Sequence, residues 1–495
     1  MKRILLSALV LLSLMTGFQG CKKFLDVEPK GLDLIKRVDH FNGLFNNTNL
    51  YGLINVRSVP GSIPFIIGYP GAPVLMSDDV FSSAAYLSTQ PLAYQNAYQW
   101  KDDLFQEEDE SSEWGTFYAQ NYIYNVIANG VMDATDGTLQ QKKELLAEAR
   151  ANRAYMHLFQ VNYFAKPYNA STASTDLGIP LVALADAGGS NFKRATVKEV
   201  YDFIINELKA AIPDLPVRTV NRARLAQTAG YYLLGQTYFW MGDYANALVQ
   251  LNLSLASMPN HTVGVSLYNY NTVMPSWITT GQAWLGANKY PAQTLSNENI
   301  YLKTMSLNFA TARNTVYLKP NVYSLFSTND QRKKFFFNNS TTNAVPAPGL
   351  PGQQRNGPIS INWGPNLADL YLMIAECKAR ANDLVGAKAD LETLRKTRMP
   401  LAEANVAITT QDAMVKAILD ERKREFAGTG FRWFDMRRLW SDTKYNNVDA
   451  THPLDGATYT LKAPRALALR FTLKVFETRT VSPWIRKTAS SIGVK

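Results

Sequence analysis

Residues 231–251 read YYLLGQTYFWMGDYANALVQL, and residues 371–391 read YLMIAECKARANDLVGAKADL. The two stretches match position by position. Tyr231 answers to Tyr371, Leu234 to Ile374, Gly235 to Ala375, Ala247 to Ala387 and Leu251 to Leu391. A large residue, a small one four later and another small one twelve beyond that is the spacing of a tetratricopeptide-like helix pair. The small side chains let two antiparallel helices approach, and the large ones fill the groove to the next pair. Gly242-Asp243 and Asn382-Asp383 punctuate the centre of each stretch as turns. One such pair cannot bury its apolar face alone, so neighbours must stack on it.

The flanking sequence continues the helical reading. Residues 142–164 place Leu146, Ala149, Arg153, Met156 and Gln160 at helical period, and Pro167 ends the run. Thr196 followed by Glu199 is a capping box that opens a helix closed by Pro213. Residues 114–133 carry tyrosines and aliphatics at mixed spacing, which suggests a buried helix. Near 55–100 and 255–365 the character changes to Gly, Pro, Asn, Ser and Thr, with no long helical period. Irregular stretches of this length inside a compact protein are usually functional. The expectation is a mostly α protein: an α-α superhelix of tetratricopeptide-like pairs carrying two long irregular regions.

The N-terminus has a separate logic. Lys2 and Arg3 precede an uncharged apolar run from Ile4 to Met15, the pattern of a secretory signal peptide spanning 1–20. The run is too short for a bilayer, which needs ~20 apolar residues. It ends at Gly20-Cys21, which resembles a bacterial lipoprotein cleavage site and makes Cys21 the expected lipidation site. Residues 21–495 are then the mature chain, read as one domain. Removing 1–20 takes two bases and no acids, so the net charge falls from +10 to +8. That charge is spread among 41 acidic residues, which argues against a nucleic-acid partner.

Chemistry-bearing patterns are few. Besides Cys21 only Cys377 remains, so no disulfide framework forms, and the four histidines show no metal-ligand spacing. No nucleophile elbow, zinc-protease motif or phosphate-cradling glycine loop is present. The chain is therefore read as neither an enzyme nor a cofactor or metal protein. The densely charged ERKREFAGTGFRWFDMRRLW, residues 421–440, reads as internal bracing: Glu421, Arg422, Arg424 and Glu425 pair along a helix that Gly428 and Gly430 break. Arg432, Asp435 and Arg438 brace the next segment around Trp433 and Phe434.

Several stretches, in order along the chain, resemble the SusD/RagB family of Bacteroidetes outer-membrane lipoproteins. They are CKKFLDVEPKG from Cys21, YFAKPYN from Tyr163, GIPLV from Gly178, RATVKEVYDFIINELKAAIPDLP from Arg194 and ILDERKREFAGTGFRWFDMRRLW from Ile418. The resemblance implies a SusD-like helical scaffold, lipid-anchored in the outer membrane and facing the cell exterior. It further implies capture of nutrient oligomers, most often glycan and sometimes peptide. The ligand would pass to a SusC-like TonB-dependent β-barrel transporter, with no reaction catalysed. A peptide-binding member of the family, or a tetratricopeptide scaffold lipoprotein of the envelope, are the competing readings.

Sugar recognition asks for flat rings against the apolar face of a pyranose and for planar amides or carboxylates against its hydroxyls. Aromatics in irregular segments suit this better than those on helices. The ligand-binding candidates are Tyr69, Phe81, Trp277, Trp284, Tyr290 and Trp363, with Asp78, Asp79 and Asn362 as hydrogen-bonding partners.

Overall fold

The structure is a computed structural model that describes residues 35–53, 71–104, 112–186, 193–219, 221–261, 263–277, 290–306, 316–337, 353–355, 360–462 and 468. The signal peptide, Cys21, Tyr69 and Trp284 lie outside these residues. Among the described residues nine longer helices build the scaffold: α1 (Ser112–Gly130), α2 (Leu139–Phe164), α3 (Val197–Ala211), α4 (Gln227–Met241), α5 (Tyr244–Ser257), α6 (Leu367–Arg380), α7 (Leu384–Arg395), α8 (Gln411–Glu425) and α9 (Phe431–Leu439). No described helix is long and apolar enough to cross a membrane.

The two matched stretches form the expected helix pairs, α4–α5 and α6–α7, and α5 packs on α6 so that the pairs stack. The turns are built alike. Gly242 ends α4 in the left-handed region at φ 80°, and Asn382 takes the same conformation after α6 at φ 64°. The next residue, Asp243 or Asp383, caps the following helix by accepting from the backbone N–H three positions on. Gly235 explains the small residue of the pattern: a Cβ there would sit 2.7 Å from the Leu251 side chain. Upstream, α1 packs on α2, α2 on α3 and α3 on α4. The Thr196–Glu199 capping box opens α3 as expected, and a second one, Thr138 with Gln141, opens α2.

Buried ion pairs join the stack to the C-terminal segment. Arg422 on α8 bridges Asp369 on α6 at 2.6 Å and Asp435 on α9 at 2.9 Å, while Arg438 holds Glu376 and Asp435. Despite the cost of burial, Arg422 and Arg438 keep the Asp435 carboxyl well below the usual carboxylate range. Trp433 and Phe434 bury beside these pairs: Phe434 stacks on Trp240 at 5.0 Å, and Tyr163 meets Trp433 edge-on at 5.3 Å. The bracing expected of residues 421–440 is therefore present, but its partners come from distant elements more than from within one helix. Cys377 is a buried packing residue whose thiol pKa burial raises.

The described parts of the two irregular regions contain short ordered elements. Residues 71–100 hold helices Gly71–Leu75, whose Ala72 to Leu75 are buried, and Ala84–Leu87 and Leu92–Tyr98, which are buried in part. A four-stranded antiparallel sheet runs in the order Val80–Phe81, Tyr317–Leu318, Gln353–Arg355, Phe336–Phe337. Thr304–Ser306 pairs with Ser360–Asn362, and Thr451–Leu454 forms a hairpin with Ala457–Thr460 through Asp455-Gly456, both at positive φ. Next to these strands, buried Lys303 donates to Leu50 O, Gln120 Oε1 and Tyr124 OH at 2.6–3.2 Å, which ties the 35–53 segment to α1. Burial pushes its pKa down to about 7.

Candidate functional site

The irregular segments and the end of α8 enclose a cleft of ≈ 700 Å³, including its open mouth. One side carries Tyr290 and the segment that follows it. The 3-10 turn Gln331–Phe335 and its following strand form a second side, and residues 361–368 a third. The closing wall runs from Arg424 at the end of α8 to Phe431 at the start of α9.

Six aromatic rings line it: Tyr270, Tyr290, Phe335, Phe336, Phe426 and Phe431. Tyr270, Tyr290 and Phe335 are held edge to face. Tyr290 lies 4.9 Å from Trp277 and 6.0 Å from Phe335, and Tyr270 lies 5.8 Å from Phe335. Phe426 and Phe431 stack at 4.3 Å, on either side of the left-handed residues Gly428 (φ 66°) and Gly430 (φ 85°). Gly430 is obligatory on packing grounds as well, since a Cβ would lie 2.8 Å from Trp363. Tyr290 is half-buried, whereas the other five rings are buried.

Polar groups are set among the rings by bonds to the backbone. Asn362 Oδ1 accepts from Lys303 N at 2.7 Å and Gly364 N at 3.0 Å, and its Nδ2 donates to Tyr301 O. Gln293 donates to Ser360 O at 2.7 Å, Asn299 donates to Gln293, and Asn366 caps α6 through Asp369 N. Glu298 Oε1 accepts from Tyr268 N at 2.8 Å and from Arg398 at 2.9 Å. Burial raises the Glu298 pKa, with Arg398 offsetting only part of it and Glu425 adding to it. Glu425 is buried too, yet Arg398 and Arg332 hold it below the ordinary value. Among the described residues no group of three or more His, Cys, Asp or Glu side chains is placed to hold a metal ion.

The structure brings some of the predicted residues together and separates others. Tyr290 and Asn362 line the cleft, and Trp277 backs Tyr290. Trp363 lies beneath the cleft wall, 2% exposed, donating from Nε1 to Thr429 O at 3.0 Å. Phe81 is buried elsewhere, stacked on Tyr317 at 5.5 Å. Asp78 is engaged by Arg432 at 2.6 and 2.8 Å and by Asp449 N at 2.7 Å, and Arg432 keeps its pKa low against burial. Asp79 accepts from Gly428 N at 2.8 Å, and burial pushes its pKa up to about 6.

Sequence reasoning did not single out Glu298, Phe335, Phe336, Phe426 or Phe431. The run RKKFFF at 332–337 is the one local signal, a cluster of rings inside an irregular region.

Two non-overlapping family matches cover most of the described chain. A family model described as "SusD family" matches residues 270–483, and one described as "Starch-binding associating with outer membrane" matches residues 75–239. No curated protein matches the sequence. The fold is similar to that of a SusD superfamily protein from Bacteroides fragilis, with a TM-score of 0.65 and 18% identity over 92% of this chain and 99% of that one. It is similar to a SusD-like carbohydrate binding protein from Bacteroides vulgatus, at TM-score 0.64 and 16% identity over 90% and 97% of the two chains. It is also similar to a laminarin binding SusD-like protein, at TM-score 0.56 and 18% identity over 81% and 90%.

Proposed function

The chain belongs to the SusD/RagB family, and from that premise we propose that it captures glycan oligomers at the outer membrane through the aromatic cleft between α8 and the irregular segments. The observation that carries this reading is the cleft itself: Tyr290 stands half-buried at a wall of rings, with carboxylate and amide groups interleaved. Rings supply contact with the C–H face of a sugar at little entropic cost, and the fixed polar groups orient its hydroxyls. The sugar-binding descriptions of two structural relatives favour glycan over peptide.

Cys21 is the proposed acylation site. More than one acyl chain holds a protein firmly to a bilayer, each buried CH₂ adding ~0.8 kcal/mol. The captured oligomer is then handed to a TonB-dependent barrel, and the protein itself makes and breaks no bond.

Two measurements test this. Calorimetric titration against a panel of oligosaccharides is expected to find a binder whose affinity drops at least about tenfold, ~1.4 kcal/mol, in Tyr290→Ala. Binding only to peptides, or binding indifferent to Tyr290→Ala, overturns the assignment of the cleft. Gentle detergent extraction of the native protein is expected to bring a large β-barrel with it in stoichiometric amount. Recovery of the acylated protein alone removes the transporter role.

A further inference from the structure

Among the described residues, eight charged groups at the cleft pair with one another. Arg332, Arg395, Arg398 and Arg424 supply four positive groups, and Glu298, Asp330, Glu421 and Glu425 supply four negative ones. The two guanidinium groups that line the cleft have every nitrogen already donating. Arg332 gives Nε and Nη2 to Asp330 at 3.0 and 2.7 Å, and Nη1 to Glu425 at 2.8 Å. Arg424 gives Nε and Nη2 to Glu421, and Nη1 to Leu325 O at 3.1 Å. On the acidic side, both oxygens of Glu425 accept from arginine, and Glu298 is shared between Arg398 and a backbone N–H.

Among the described residues, a ligand carboxylate or sulfate entering this cleft loses its water and meets guanidinium groups whose charge is already balanced by Asp330, Glu421 and Glu425. A ligand ammonium finds carboxylates already neutralised and Arg332 and Arg424 nearby. Moving an ionised group out of water without a partner is strongly unfavourable. A hydroxyl needs only one hydrogen bond, which lone pairs of the cleft's amides and carboxylates can share. We infer that the cleft selects uncharged oligosaccharides and discriminates against uronic-acid, sulfated and amino sugars. This inference rests on the glycan-capture reading and deepens it by naming the ligand class.

The test uses matched oligomers that share a backbone and differ in charge at one substituent. Oligogalacturonate is set against its carboxyl-reduced form, and chitosan oligomers against N-acetylated chitin oligomers, beside neutral glucan, mannan and xylan oligomers. Each is titrated into the full-length mature protein and into Tyr290→Ala. The expected result is a neutral binder lost in Tyr290→Ala, with charged oligomers at least about tenfold weaker than neutral ones. Affinity for the neutral ligand should also hold steady as salt rises, because no ion pair forms with it. A charged oligomer that binds more tightly than its neutral twin, and loses that binding in Tyr290→Ala, overturns the selectivity while leaving glycan capture intact. Binding of no oligosaccharide of either kind removes the glycan reading, and the selectivity with it.

Discussion

Asp79 shows how much a single residue depends on neighbours far away in sequence. Its Oδ2 accepts from Gly428 N, its Oδ1 has no partner, and Asp78 stands beside it. Burial is the main reason its pKa rises to about 6. The unfolded carboxyl titrates near ~3.9, so the folded protein holds this proton over a higher range of pH. Its contribution to stability is therefore greatest below about pH 4 and is lost as pH rises through about 6. Relative to Asp79→Asn, the wild type should lose about 2–3 kcal/mol between pH 4 and pH 7. Urea unfolding of both proteins across that range checks it, and parallel curves would rule out a titrating Asp79. The sequence displays Asp78-Asp79 as adjacent acids in an irregular stretch, which is how a ligand-facing pair also looks. It does not display Arg432, whose two bonds turn Asp78 inward from 354 positions away. Tyr290 stands out in the sequence for a different reason, as a ring in a segment with no helical period, and the fold sets it edge-on to Trp277 and Phe335.

At the scale of elements, the paired helices were the most legible part of the molecule, because their spacing is local and repeats. The repeat also supplies controls. Gly242 and Asn382 hold equivalent left-handed positions, so each residue is already tested in the other's setting. Gly242→Asn should be nearly neutral, whereas Gly242→Ala should cost about 1–2 kcal/mol, since nothing crowds the site and only the backbone conformation opposes the change. Gly235 behaves differently. Alanine is the better helix former by ~1 kcal/mol, yet its Cβ would press on Leu251 at 2.7 Å. Thermal unfolding of Gly235→Ala should show a net loss of about 1–3 kcal/mol. A gain would mean that α5 moves aside freely. The strands were not legible from composition. They are two to four residues long and pair across gaps such as Phe81 with Tyr317, so no alternating pattern has room to develop.

At the scale of the whole molecule, the cleft is assembled from segments that the chain visits at widely separated points, and the charge cluster is what fixes them to one another. Arg332 reaches 93 positions to Glu425, and Arg398 reaches 100 to Glu298. Reading 421–440 as bracing identified the charges but could not identify which distant elements they brace. Glu425→Gln should cost about 3–5 kcal/mol, because it leaves Arg332 and Arg398 short of a buried counter-charge. Chemical unfolding checks the value, and a loss under ~1 kcal/mol would show that water or rearrangement replaces the pair. The same cluster has a consequence in time. Helix α8, the turn holding Arg332 and the end of α7 cannot part without exposing several unpaired charges at once, so they have no inexpensive partial opening. Their backbone amides should exchange with deuterium only when the whole protein unfolds, while those near half-buried Tyr290 exchange sooner. The cleft would then have a slow wall and a fast one, and ligand would arrive past the fast one.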